Sequence, residues 1–164
     1  MHKHILGVGL SIALLLPASA QTVGGWTIKQ SRSELDGAAQ YSASLSSTNT
    51  ITDAIGVAAK ATLIIRCRNR ELSAYVAWPA YMGLHQKTVL WKFDNGTVWK
   101  ADWDLSTDGT ATFSNNVLDF LTDLARSTRL VVSAKPYDRE SAEAVFDLGD
   151  ASTVVVTAQS LCRR

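Results

Sequence analysis

Residues Leu63 to Trp78, LIIRCRNRELSAYVAW, confine the chain to a small set of folds, because they read as two half-buried strands joined by a tight polar turn. Leu63, Ile65 and Cys67 alternate with Ile64, Arg66 and Arg68. After the turn, Leu72, Ala74, Val76 and Trp78 alternate with Ser73, Tyr75 and Ala77. With Asn69-Arg70 as a two-residue loop, Cys67 faces Leu72, Ile65 faces Ala74 and Leu63 faces Val76, so one register gathers the whole apolar set on one side. A slip of one residue would turn that set into solvent. The pattern therefore predicts an antiparallel hairpin with one face in a core.

The first twenty residues obey a different logic. His2, Lys3 and His4 form a short basic region, Ile5 to Leu16 an apolar run, and Pro17-Ala18-Ser19-Ala20 a small-residue A-x-A site. That order predicts a secretory signal peptide over 1–20, cut after Ala20, with residues 21–164 as one β-rich domain. The apolar run is short for a bilayer span and nothing else approaches that length, so no stable membrane span is expected after cleavage. Cleavage removes Lys3 and two of the three histidines, which leaves acidic and basic residues in balance and His85 as the sole imidazole. Such a balance gives no electrostatic case for nucleic acid as a partner. The expected location is the periplasm or the exterior, and the expected partner is a protein or another cell-envelope component. In that oxidising setting two cysteines imply one bridge, Cys67 to Cys162.

Taken in order, the remaining pattern is a series of short strands. Trp26 and Ile28 share a face of a first strand, Ser31 to Ala39 reads as a loop, and Tyr41, Ala43 and Leu45 alternate with serines in a second strand. Thr48 to Lys60 reads as a loop, and Pro79 stops the central hairpin after Trp78. Thr88 to Phe93 and Thr97 to Trp103 flank Asp94-Asn95-Gly96. A three-residue loop with Gly96 in a left-handed bulge pairs Trp91 with Trp99 and Val89 with Ala101, a better match than the Trp91–Lys100 pairing of a two-residue turn. Ala111 and Phe113 mark a further strand. Asn116 opens a helix with Asp119 three residues on, apolar at Val117, Phe120, Leu121, Leu124 and Ala125, with Arg126 in its last turn. Leu130, Val132 and Ala134 then pair with Ala144, Phe146 and Leu148. Finally Ala151, Val154, Val155, Ala158, Leu161 and Cys162 fall on one helical face, despite a run of valines that lowers helix propensity. The predicted fold is mainly β (α+β): an antiparallel β-sandwich or curled sheet with two short helices, one at the C-terminus.

The blocks also come in a familiar order: the Trp26 start, TLIIRCRN, YVAWPAYMG, the tryptophan hairpin, WDLSTDGTATF, a short helix, RLVVSAKPY, VFDLGD and a last-turn cysteine. In this order the chain resembles the TagO/VasI family of type VI secretion system-associated periplasmic proteins over nearly all of residues 21–164. The resemblance implies an accessory protein of a secretion apparatus, without established chemistry.

The residues carry little that resembles a reaction centre. Serine nucleophiles need a positioned base, and His85 is the only imidazole to supply one. One imidazole and two oxidised sulfurs cannot make a tetrahedral zinc set, and no cofactor is expected. Asp102 and Asp104, two apart on a strand and so on one face, are the paired carboxylates a cell-wall hydrolase would use. Asp104, Ser106 and Asp108 place oxygens at alternate positions before Gly109, as in the opening of a calcium loop, although an Asp-Gly turn explains the same residues. Trp26, Trp91, Trp99 and Trp103 are expected in the core. Trp78, followed by Pro79, Ala80 and Tyr81 at a strand end, reads by default as a corner packing residue, with Trp78 and Tyr81 as the candidate partner-binding aromatics. Arg66 and Arg68 form either a basic patch for that partner or a solvated sheet face. The predicted function is a non-enzymatic periplasmic accessory or binding module, with a peptidoglycan hydrolase acting through Asp102 and Asp104 as the alternative.

Overall fold

The computed structural model describes residues 20–53 and 55–163, so residues 1–19 of the expected signal peptide lie outside the described residues. The described residues form β1 (Gln21–Val23), β2 (Trp26–Arg32), β3 (Ala39–Ser46), β4 (Ile51–Thr52), β5 (Ala58–Ala59), β6 (Thr62–Arg68) and β7 (Glu71–Ala77). There follow β8 (Lys87–Phe93), β9 (Trp99–Leu105), β10 (Ala111–Phe113), α1 (Val117–Leu124), β11 (Arg129–Ala134), β12 (Ala142–Asp147) and α2 (Ala151–Cys162). The central hairpin, β6–β7, adopts the register its side chains dictate, with Leu63 on Val76, Ile65 on Ala74 and Cys67 on Leu72. Asn69 and Arg70 both take left-handed φ, 53° and 62°, the two-residue turn whose twist suits the flanking strands.

Ten strands make one antiparallel sheet in the order β1-β2-β3-β6-β7-β10-β9-β8-β11-β12, while β4 and β5 form a separate two-residue ladder. A twisted sheet this wide cannot stay open and flat, so it curls around its apolar face. Trp26, Leu63, Ile65, Trp103, Leu130 and Phe146 are fully buried inside the curl. Both helices close it: α2 packs across β3, β6 and β7, and α1 contacts β7 and α2. Cys67 on β6 and Cys162 on α2 are bonded, with their Cα atoms 5.5 Å apart. The apolar face expected for α2 is the one that docks, with Ala151, Val154, Val155, Ala158 and Cys162 buried.

The two ends of the sheet meet without pairing into a barrel. Thr48 N–H donates to the Val145 carbonyl at 2.7 Å, and the Asn49 side chain donates to the Glu143 carbonyl and accepts from Val145 N–H. This segment covers the outer edge of β12, which would otherwise offer a row of unpaired backbone groups. Trp26 Nε1 crosses the same seam to the Leu148 carbonyl at 2.8 Å.

Several boundaries differ from the sequence pattern. β1 was not expected, yet Gly24 and Gly25 both take positive φ and close a hairpin in which Val23 pairs with Trp26. β2 runs through Ser31 to Arg32, because Gln40 and Ala39 of β3 offer it backbone partners regardless of its polar side chains. Within 48–60, the short β4–β5 ladder replaces part of the expected loop. The tryptophan hairpin keeps the expected register, Trp91 on Trp99 and Val89 on Ala101. Its left-handed residue is Asp94, φ 47°, rather than Gly96. Asp94 is drawn there because its carboxylate accepts from Thr128 N–H, Thr128 Oγ1 and Arg129 N–H at the start of β11. α1 ends at Leu124, so Arg126 lies beyond its last turn.

Candidate functional site

The register of β8 and β9 puts Trp91 and Trp99 opposite each other on the concave face, and Trp103 shares that face further along β9. Helix α1 then lowers Phe120 onto these rings. Trp103 and Phe120 meet edge to face at 5.4 Å, Trp91 and Trp103 are tilted at 5.3 Å, and Phe93 and Phe120 lie 5.5 Å apart. These separations suit attractive aromatic contacts. Trp103 and Phe120 are buried and Trp91 is half-buried, but Trp99 is 53% exposed. The expectation that Trp99 is a core residue therefore fails. Strand alternation turns it inward, yet there it lines an open cleft between β9 and α1 rather than closed core.

What remains above the rings is a cleft of about 440 Å³ between β9 and α1. Its floor is aromatic, and its α1 side carries Asp119 and Asp123, one helical turn apart. Asn115, Asn116 and Ser114 close the end nearest the helix start. Asn116 Nδ2 donates to Asp119 Oδ2 at 2.6 Å, and Asn115 Nδ2 donates to the Asp102 carbonyl at 2.9 Å, which ties the loop before α1 to β9. Lys100 borders the cleft, but alternation directs its side chain, like that of its cross-strand neighbour Leu90, to the other face of the sheet.

The two candidate partner-binding aromatics have different fates. Trp78 is only 5% exposed, and its Nε1 donates to Thr112 Oγ1 at 3.0 Å inside the core. The inward alternation of Ala74 and Val76 continues past the end of β7, since Trp78 N–H still bonds the Thr110 carbonyl. Tyr81 is 41% exposed and packs edge to face on Tyr137 at 5.9 Å, beside a second hollow lined by His85 and Lys87. Arg66 stacks its guanidinium 5.3 Å from the Tyr75 centroid, and Tyr75 stacks on Phe113 at 4.4 Å. Arg66 and Arg68 share a shallow groove on the convex side with Glu71, Ser73 and Phe113.

The carboxylates singled out from the sequence sit elsewhere. Asp102 accepts from Thr88 Oγ1 at 2.6 Å and Asp104 from Gln86 Nε2 at 2.8 Å, each exposed on the sheet face away from the aromatic cleft. The Ser106–Asp108 turn two residues on has its own hydrogen bonds. There Ser106 Oγ donates to Asp108 Oδ1 at 2.5 Å, Thr110 Oγ1 and N–H donate to the same oxygen, and Ala111 N–H donates to Ser106 Oγ. The turn's own donors hold these oxygens, with Ser106 first and Thr110 next in keeping the Asp108 carboxyl below its ordinary value. Sequence reasoning missed the cleft's defining set, Trp99 with Asp119 and Asp123. Its one available signal was the four-residue spacing of the two aspartates on a helix whose opposite face is apolar.

The class defined here is an open, curled antiparallel sheet whose C-terminal helix is bonded to a central strand, with an aromatic cleft at one end. Among solved structures it is similar to the crystal structure of invasion-associated protein B from Bartonella henselae, with a TM-score of 0.62 over 88% of this chain and 97% of that one. The two sequences are 12% identical, so the likeness is one of fold. No family model matches the chain, and no curated protein matches it in sequence.

Proposed function

We propose that this protein is a non-enzymatic accessory or binding module of the bacterial cell envelope, periplasmic or secreted, with a type VI secretion system as the candidate apparatus. The observation that carries this reading is the cleft at Trp99: a large, half-exposed aromatic at the mouth of a concavity is a binding feature. The residues lining it include neither histidine nor cysteine. The Cys67–Cys162 bond supports an oxidising compartment. The resemblance of the block order to the TagO/VasI family supports the accessory role, and so does a fold similar to that of an invasion-associated protein. Two experiments test the reading. Capture of partners from periplasmic extract should be lost in Trp99→Ala while the thermal melt is retained. Purified peptidoglycan should release no soluble fragments; release that disappears in Asp102→Ala or Asp104→Ala would establish a hydrolase instead.

A further inference from the structure

We propose that the cleft takes a basic side chain of a polypeptide partner, a lysine or arginine whose stem lies along Trp91 and Trp99 and whose charged head meets Asp119 and Asp123. The inference rests on the reading of this cleft as the binding site and adds the chemistry of the occupant. Indole faces carry negative potential and attract cations, the more so when water is displaced. Carboxylates at the same mouth add direct charge-assisted hydrogen bonds. Asp119 and Asp123 project from successive turns of α1 over the aromatic floor, so one alkyl stem can span from ring to carboxylate. Among the described residues that line the cleft Lys100 is the one basic residue, and alternation directs its side chain to the other face of the sheet, away from Asp119 and Asp123.

A saccharide would also stack on tryptophan, but it would not match the paired charge. A polypeptide occupant is favoured over a free amine because the apolar surface continues beyond the cleft. Leu118, one turn before the cleft-lining Thr122 on α1, is 61% exposed and gives a flanking residue somewhere to pack.

The test uses the protein cleaved of residues 1–20 and four acetyl- and amide-capped pentapeptides that differ only at the centre: lysine, arginine, Nε-acetyl-lysine and norleucine. A chitin oligosaccharide serves as a fifth probe. Binding is read by tryptophan emission and calorimetry. The lysine and arginine peptides should bind at least about tenfold more tightly than the neutral pair, and the preference should shrink as salt is raised. Asp119→Asn with Asp123→Asn should remove the preference with only a small change in the melt, since both side chains are exposed and Asp119 gives up no more than its contact with Asn116 and the helix start. Equal binding of norleucine and lysine, or tighter binding of the oligosaccharide, overturns the cationic occupant but leaves the binding site standing. Failure of every probe overturns the proposal as well. If partner capture also survives Trp99→Ala, the site itself is wrong.

Discussion

Asp94 is an exposed residue on which a loop geometry depends. The Thr128 hydroxyl first, then the Thr128 and Arg129 backbone N–H groups, stabilise its charged form and hold its carboxyl below the ordinary 3.8. A carboxylate depressed in the folded state contributes stability above its unfolded pKa and loses it as pH falls through the folded value. Asp94→Asn keeps the tolerance for a left-handed backbone, so it isolates the charge. The variant should be less stable than the parent at neutral pH, with the gap closing as pH drops through and below the usual carboxylate range; urea midpoints over a pH series would show it. A gap that does not change with pH would reject the account. Trp99 and Trp103 make a second residue-scale contrast. Trp103→Ala should cost about 3–5 kcal/mol as a buried aromatic, whereas Trp99→Ala should barely move the melting midpoint. Alternation in the sequence shows which way each indole faces. It does not show whether anything is laid over it, which is why Trp99, expected in the core, lies half exposed, whereas Trp78, continuing an inward register past its strand, packs as a corner residue.

Elements were legible where two constraints agreed. In β6–β7 the apolar alternation and a turn tolerant of left-handed residues select one register, and the structure has it. In α2 the helical spacing outweighed the valines, because a docked helix draws its stability from packing more than from propensity. β1, β4 and β5 were hidden because two or three residues show no period, and their pairing comes from turns and neighbouring backbone. The bond from Cys67 to Cys162 spans 95 residues of sequence and should stabilise by about 4 to 5 kcal/mol in the chain-entropy model. Its local effect is to keep α2 on β3, β6 and β7, where Tyr41 Oη also reaches the Val154 carbonyl. Reduction should therefore raise hydrogen exchange first in residues 151–162, before β6 and β11. Uniform loss of protection across the sheet, or none in α2, would show that the bridge does not serve this element in particular.

At the scale of the molecule, the curl depends on how closely its two ends approach. The β1–β2 turn and the β12–α2 turn touch at Gly24 and Gly149, where a Cβ on Gly149 would overlap the Gly24 carbonyl oxygen and one on Gly24 would overlap Asp150. This contact lies beside the Trp26–Leu148 hydrogen bond, so one seam combines backbone packing with a buried donor. Gly149 also has φ 50°, which adds a backbone cost to any side chain placed there. Gly37 provides the control: its φ is 67°, but nothing lies within 4 Å of a Cβ at that position. Gly37→Ala should cost roughly 1–2 kcal/mol for the left-handed backbone alone. Gly149→Ala should cost that and a further ~1–3 kcal/mol for forcing the ends apart. Guanidinium unfolding of the two variants measures the difference, and loss of the buried Trp26 environment in the Gly149→Ala emission spectrum would locate it at the seam. Equal costs would mean that the ends of the sheet are not held together here, and that the curl is maintained by α2 and its disulfide instead.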